Sequence, residues 1–194
     1  MSQLSFFSAE STPPAVVDLG GLLAGTGQAV TSDAGARVSV VVEDGWRAEA
    51  LAQMIDEAGV PVETTRSDEG RPLVRTHSVE QLRPLVGQWT RGAVKAVPHG
   101  WVPTSRQLRM WTIACGRAEA EGTRFVLGLD PHAPQTHGPL ARCLMHAGIA
   151  PTLIGTRGAT PGLRIAGRRR LARLAESVGE PPPHMDVEGA WPYA

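Results

Sequence analysis

The chain has 194 residues, 42% of them hydrophobic, and a formal net charge of zero, so it can form one domain or two small ones around an ordinary core. No stretch approaches the roughly 18 apolar residues of a membrane-spanning helix, and the N-terminal residues lack a basic and apolar signal, which together predict a cytoplasmic protein. The charge is uneven, because residues 1–97 carry 8 Lys/Arg against 12 Asp/Glu and residues 98–194 carry 11 against 7.

The first half of the chain begins with a Ser- and Pro-bearing stretch at 1–14 that predicts a flexible arm. A helix further on is indicated by four apolar residues with the i, i+3, i+4, i+7 spacing of an amphipathic helix: Leu51, Met54, Ile55 and Ala58. The run of valines just before it favours a strand. In chain order we expect a helix at 18–24, strands at 28–31 and 37–43, a helix at 45–58, a hairpin of 61–66 and 71–76, and a helix at 78–88.

The second half repeats this pattern after a Pro- and Gly-bearing connection. We expect a helix at 104–120, a strand at 124–129 after a weakly indicated first strand, a helix at 137–147, a hairpin of 151–156 and 162–167, and a helix at 168–178. The last residues, 181–194, are Pro-rich and predict a flexible tail. Because this tail carries Trp191 and Tyr193 among acidic residues, it is a candidate peptide for binding a protein partner.

Residues 51–59 recur 89 positions later as residues 140–148, and residues 37–44 align with 124–131 at an offset of 87. A period of that length is too long for a solenoid repeat. It predicts an α+β fold built from two pseudo-symmetric αββαββα repeats, 15–96 and 97–180, that form one domain. Antiparallel sheets backed by helices would then form a saddle with one face uncovered. A chain that supplies both halves of such a pair is expected to be a monomer.

This order of elements resembles the LAGLIDADG homing-endonuclease family, which also includes non-cutting regulators of the WhiA type. The nine-residue motif is matched loosely by residues 19–27 (LGGLLAGTG) and by residues 114–122 (ACGRAEAEG). The resemblance implies two motif helices packed against each other at a pseudo-twofold axis. Small residues would permit the close approach of their backbones: Gly20, Gly21, Ala24, Gly25, Ala114, Gly116 and Ala118.

Cutting in this family requires an acidic residue near the end of each motif helix, where two carboxylates hold divalent metal ions. The alignment places Glu121 at this position in the second copy but Thr26 in the first. A hydroxyl group does not replace the charge of a carboxylate. The resemblance therefore implies a degenerate endonuclease that does not cut and holds no cofactor, with Glu121 as a vestigial metal-site candidate.

In the family the uncovered sheet face lies on DNA, so basic residues on strands, hairpin tips and the last strand-to-helix junction are the candidate contacts. The resemblance thus assigns phosphate or base contacts on double-stranded DNA to Arg66, Arg71, Arg75, Arg157, Arg164, Arg168, Arg169, Arg170 and Arg173.

Three neighbouring side chains, Asp130, His132 and His137, could suggest a metal site, but a capped strand-to-helix loop is the stronger interpretation. Two functional alternatives stay open beside non-catalytic DNA binding in a regulatory or chromosome-associated role. The first is a protein–protein interaction module on the same fold, which the acidic first half and the aromatic tail suggest. The second is a residual metal-dependent nuclease that uses Glu121.

Overall fold

The computed structural model describes residues 8–156, 158, 160–183, 185, 187 and 189–193, and this part contains six α-helices and ten β-strands. The first seven elements are α1 (Gly20–Ala24), β1 (Gln28–Ser32), β2 (Gly35–Val41), α2 (Gly45–Glu57), β3 (Val62–Arg66), β4 (Pro72–Thr76) and α3 (Arg83–Trp89). A two-stranded hairpin follows, formed by β5 (Thr90–Arg91) and β6 (Val94–Lys95). The last seven are α4 (Ser105–Cys115), β7 (Gly116–Glu119), β8 (Arg124–Gly128), α5 (His137–His146), β9 (Thr152–Ile154), β10 (Gly162–Ala166) and α6 (Arg168–Val178).

Two four-stranded antiparallel sheets have the same strand order, β1-β2-β4-β3 in the first and β7-β8-β10-β9 in the second. Their registers also correspond. Ser39 pairs with both Gln28 and Arg75, and Val126 pairs with both Arg117 and Arg164. The predicted α+β class and the αββαββα order of elements are thereby confirmed, while the division at residues 96 and 97 stays a prediction.

The helices cover one face of the first sheet, because alternate residues of its strand β2 are buried against them. On β2, Val38 and Val40 are buried in the core that also contains Leu51 and Ile55 of α2. The intervening residues, such as Ser39, are only half-buried. Successive side chains on a strand point to opposite faces, so the half-buried set marks a second face that we call the open face. Within the described residues, no helix is long and apolar enough to cross a membrane.

The central contact of the fold is between α1 and α4. A Cβ atom added to Gly21 would overlap the carbonyl oxygen of Gln107, and one added to Gly25 would lie 2.7 Å from the Cys115 sulfur. Both distances are shorter than ordinary van der Waals contact, so these glycines permit the two helices to approach as closely as they do. The expected small residues Gly20 and Ala24 are buried on the same short helix.

The second motif, in contrast, was placed wrongly along the chain. Helix α4 ends at Cys115, so Gly116 and Ala118 lie on strand β7 and do not belong to a helix pair. Ala114 is the member of the predicted set that α4 retains. Glu121 lies in the β7–β8 turn with a φ of 53°, away from any helix end. The physical reason is that residues 116–119 pair with β8, which overrides their helical propensity.

Some described residues of the predicted arm and tail pack on the domain. Trp191 is buried, its indole Nε1 donates to the Gly179 carbonyl at 3.0 Å, and the guanidinium of Arg109 lies 5.1 Å from its ring centre. The backbone N–H of Ala118 donates to the carbonyl of Gly189 at 2.7 Å, so the tail covers the edge of β7. At the other terminus Ser8 is buried. The burial of this large aromatic side chain is favourable, and it holds the tail on the domain.

Candidate nucleic-acid interface

Arginines dominate the charge of the open faces of both sheets. Residues that pair across strands share a face, so the register places Arg37 and Arg75 on the open face of the first sheet. The same argument places Arg117, Arg124 and Arg164 on that of the second sheet. Two strand glutamates, Glu63 and Glu119, accompany these five arginines. The open faces therefore carry a positive excess even though the whole chain is neutral.

Arg75 and Arg164 occupy equivalent positions, and each makes an ion pair on its sheet, although the two glutamates stand on different strands of the repeat. Arg75 donates to Glu63 through Nε at 2.9 Å and Nη2 at 2.8 Å, and Arg164 donates through Nε to Glu119 at 2.8 Å. Each arginine side chain keeps about a third of its surface exposed, 35% and 33% respectively. These exposed pairs add little stability, but they hold each guanidinium above its sheet with donors still available.

A cleft of about 480 Å³ lies where the two sheets meet, and we call it the central cleft. It is lined by the open-face residues Gln28 and Arg117, by Arg71, and by the residues that end the two central helices, Thr26 and Cys115. Because Gln28 and Arg117 are equivalent in the sheet registers, the residues two positions before them, Thr26 and Cys115, are equivalent as well. Cys115, not Glu121, is thus the counterpart of Thr26.

The C-terminal end of α1 is held by Lys95. Its Nζ donates to the carbonyl oxygens of Gly25 at 2.7 Å and Gly27 at 2.8 Å, and to Asp130 at 3.1 Å. Burial lowers the pKa of Lys95, and the carboxylate of Asp130 opposes that effect. Burial acts to raise the pKa of Asp130. The charge of Lys95 and the hydrogen bonds that the Asp130 carboxylate accepts nevertheless hold this pKa below its ordinary value. The carboxyl group of Asp130 is therefore ionised at neutral pH.

The C-terminal end of α4 is held in the same way by Arg47 of helix α2. Its guanidinium donates to the carbonyl oxygens of Ile113 at 2.6 Å and Gly116 at 2.8 Å, and its Nε contacts Asp44 at 3.1 Å. Arg47 is buried, with 5% of its surface exposed. Cations are favourable at the negative end of a helix, whose last carbonyls have no partner within the helix. Each central helix thus ends on a side-chain cation.

The donors at these helix ends do not fit a divalent metal ion. Mg²⁺ requires oxygen ligands, carboxylates above all, whereas the two equivalent positions carry the hydroxyl of Thr26 and the thiol of Cys115. Burial raises the pKa of the Cys115 thiol to about 11, so it is neutral at physiological pH. The nearest buried carboxylate, Asp130, is already paired with Lys95. Among the described residues, no group of three His, Cys, Asp or Glu side chains is placed to hold a metal ion.

The loop with Asp130 and the two histidines is held by hydrogen bonds to Asp130, and not by the side-chain cap at the start of a helix that the sequence predicts. The backbone N–H of His132 donates to Asp130 Oδ1 at 2.9 Å, and Nε2 of His137 lies 2.7 Å from the Asp130 carbonyl oxygen. The side chain of His132 is 91% exposed. These contacts fix the path from β8 to α5 and place Asp130 at the floor of the central cleft.

The arginines predicted to contact DNA are divided among different surfaces. Arg75 and Arg164 lie on the open faces, and Arg71 lines the central cleft beside them. Arg66 pairs with Pro72, which shares the helix side of the sheet with Val74, so Arg66 stands at the hairpin tip and not on the open face. Its side chain is exposed and donates to the carbonyl oxygen of Gly70 at 2.7 Å. Arg157 lies outside the described residues.

The remaining predicted contacts are on α6 and not on a sheet. All four are exposed in the first two turns of this helix: Arg168, Arg169, Arg170 and Arg173. The buried residues of the same helix, Leu171, Leu174 and Val178, face the core. These arginines therefore lie on a helix of the helical layer and not on the open face of the sheet.

Three open-face arginines were missed in the sequence: Arg37, Arg117 and Arg124. Alternation contained the signal for Arg37, since it stands two positions before Ser39 on a strand whose even-numbered valines form the core face. Arg124 is followed by the unbroken apolar run 125–127, so alternation gave no signal for it. Arg117 had no such signal, because residues 116–119 have the composition of a helix.

Comparison with known proteins finds no matching family model and no matching curated protein, but solved structures with the same fold. The homing endonuclease I-WcaI bound to its DNA recognition sequence matches with a TM-score of 0.61 at 11% identity, covering 94% of this chain and 88% of that one. The N-terminal LAGLIDADG domain of WhiA matches with a TM-score of 0.58 at 14% identity over 93% and 97% of the chains. The chain has a LAGLIDADG-like fold.

Full-length WhiA from Thermatoga maritima matches with a TM-score of 0.61 at 14% identity, and here the chain covers 54% of the longer protein. In a LAGLIDADG-like fold α1 and α4 are the two motif helices, with residues 19–27 as the first motif. The sheet registers then assign the second motif to residues 108–116, six positions before the one that the sequence suggested. Identities this low show the fold alone.

Proposed function

We propose that this protein binds double-stranded DNA across the open faces of its two sheets without cutting it, in a regulatory or chromosome-associated role. The observation that carries the proposal is the equivalent placement of Arg75 and Arg164 at corresponding register positions of two sheets whose open faces no described helix covers. Two matched rows of strand side chains suit a duplex, because the major groove admits a two-stranded β-ribbon.

The charge and chemistry of the open face support DNA as the ligand. Arginine presents a planar fork of donors that matches both phosphate oxygens and the major-groove edge of guanine. Five strand arginines against two strand glutamates give the attraction that phosphate binding needs. One structure of this fold, I-WcaI, is bound to its DNA recognition sequence, which supports the same use of the fold here.

A double substitution tests the open face directly. We expect R75Q/R164Q to weaken binding to a 30-base-pair duplex about tenfold or more at about 100 mM salt, and to reduce the slope of log K against log salt by up to about 1.8, since each lost phosphate contact removes about 0.9. Fluorescence anisotropy over a salt series measures both quantities.

The control is R66Q/R91Q, which removes the same charge from two exposed arginines away from the open face. It should stay within about threefold of the unmodified protein, because its charge is remote from the duplex. Equal losses in both double variants would contradict a specific open-face site. Absence of binding by the unmodified protein at about 50 mM salt, where the electrostatic attraction is strong, would reject the function.

The chemistry of the helix ends supports binding without cleavage. Thr26 and Cys115 occupy the positions where a metal-dependent nuclease of this fold needs carboxylates, and the carbonyls behind them are occupied by Lys95 and Arg47. Three arginines and two acidic residues line the central cleft, namely Arg47, Arg71, Arg117, Glu43 and Asp130. This positive excess favours phosphate over a divalent metal ion. Glu121, the sequence candidate for a residual nuclease, is exposed in the β7–β8 turn.

We therefore expect supercoiled plasmid to stay intact when incubated with the protein and Mg²⁺ or Mn²⁺ under conditions that saturate binding. Conversion to open-circular or linear DNA on agarose gels measures any cleavage. Nicking by the unmodified protein that persists in Cys115→Ala but disappears in Glu121→Gln would contradict the proposal and favour a nuclease at the turn.

The alternative of a protein-interaction module loses its main motivation in the structure. The aromatic tail that suggested a partner peptide is packed on the domain, with Trp191 buried against Arg109. Tyr193 stays 56% exposed, but a single exposed tyrosine is an ordinary surface feature. More of the described surface fits DNA binding than fits the binding of a protein partner.

A further inference from the structure

The outer surface of α6 carries a second concentration of positive charge, the arginine patch, formed by Arg168, Arg169, Arg170 and Arg173. All four side chains are exposed. Leu171 and Leu174 anchor the opposite side of the helix in the core. At 3.6 residues per turn, Arg169 and Arg173 stand opposite these leucines. These two arginines therefore point away from the core, and a duplex lying across β10 at Arg164 would not cover them.

Within the described residues this charge exceeds the negative charge beside it, because Glu176 is the acidic side chain that lines the same hollow as the four arginines. The ion pairs of the described chain include none from these four arginines, in contrast to Arg75 and Arg164 on the open face. Three of them stand in the first turn of α6, where the helix dipole makes positive charge unfavourable. The patch thus costs α6 some stability, which argues that it serves a ligand and not the helix.

The shape beside the patch indicates which ligand fits. The arginines surround a hollow of about 950 Å³ whose other walls are mostly small residues, Gly148, Ala166, Gly167 and Ala172, with Glu176 as the acidic side chain among them. Protein interfaces are anchored by large apolar and aromatic side chains at their centre, and no such side chain lines this hollow. A basic, unanchored hollow fits a phosphate backbone better than a folded protein.

We propose that the arginine patch binds the phosphate backbone of a second DNA duplex, so that one molecule bridges two DNA segments. The spacing suits this ligand: residues 169–173 rise about 6 Å along the helix axis, close to the roughly 7 Å that two nucleotide steps of one strand advance along a duplex. The inference rests on the proposed function, which supplies the first duplex at the open face, and it extends the chromosome-associated role to holding segments together.

A two-duplex capture assay separates the surfaces. One biotinylated duplex is held on beads, the protein is added, and retention of a second, fluorescent duplex is measured at about 100 mM salt. We expect R169Q/R173Q to bind a single duplex within about threefold of the unmodified protein, yet to retain about tenfold less of the second duplex, because it loses two contacts to that duplex alone. R66Q/R91Q, with the same change of charge, should retain both activities.

Each other outcome overturns the inference in a recognisable way. If R169Q/R173Q weakens single-duplex binding as much as capture, the patch belongs to one continuous footprint. If the unmodified protein binds one duplex but never captures a second, bridging is wrong while the open-face function stands. If it binds no duplex at all, the proposed function fails first. Binding of fluorescent poly-glutamate that R169Q/R173Q abolishes would then assign the patch to an acidic protein partner.

Discussion

Gly21→Val should lower the free energy of unfolding by about 3 kcal/mol or more, which is a large effect for a single substitution. Gly21 lies on α1 where that helix crosses α4, and even a Cβ atom there would overlap the carbonyl oxygen of Gln107. Backbone has no rotamer to change, so the two helices would have to separate. Because Leu22 and Leu23 of α1 pack in the shared core, separation would loosen packing on both sides of the junction.

The matched control is Gly87→Ala in the middle of α3. An added Cβ atom meets no atom within 4 Å at Gly87, so helix propensity alone acts and should raise stability by about 0.5–1 kcal/mol. Urea denaturation followed by circular dichroism measures both variants. Opposite signs are expected for two glycine substitutions in helices. A stability of Gly21→Val within about 0.5 kcal/mol of the unmodified protein would contradict the close α1–α4 contact.

The elements of this fold could be predicted where local pattern and tertiary contacts agree. The recurrence of residues 51–59 at 140–148 identified α2 and α5, and the valines of β2 favoured the strand that forms. Residues 116–121 show the opposite case. Arg117, Ala118 and Glu119 favour a helix by propensity, but they pair with β8 and form the edge strand of the second sheet. That pairing partner is invisible in the segment's own sequence.

The same distinction separates the residues of the candidate site that could be predicted from those that could not. Arg75 and Arg164 could be predicted because each stands on a strand with clear alternation. Lys95 and Arg47 could not, since the carbonyls that they hold lie 65 to 70 residues away in the chain. Isolated basic residues in a sequence carry no sign that they will cap the end of a distant helix. The error at Glu121 followed directly, because a helix extended too far placed the wrong residue at its end.

Arg47→Met should be the most destabilising of the charge-removing substitutions, with a loss of about 2–6 kcal/mol, because two buried carbonyl acceptors lose their charged donor. Methionine keeps much of the apolar stem but donates no hydrogen bond. The carbonyls of Ile113 and Gly116 would lose a charged donor at the end of α4, and each unpaired buried acceptor costs about 1–3 kcal/mol. The loss should appear as a lower urea midpoint with little change in the slope of unfolding.

Arg83→Met provides the comparison, because this arginine also binds carbonyl oxygens, those of Ser32 at 2.7 Å and Asp33 at 3.1 Å, but at an exposed position. Water can replace its hydrogen bonds, so we expect a loss below about 1 kcal/mol. Similar losses in the two variants would show that the buried cation adds nothing beyond an ordinary hydrogen bond. A large difference would mean that the stability of α4 depends on the positive charge at its C-terminal end. An endonuclease of this fold needs a carboxylate and its metal ion at that end. The stability of this protein would then be linked to its proposed inability to cut.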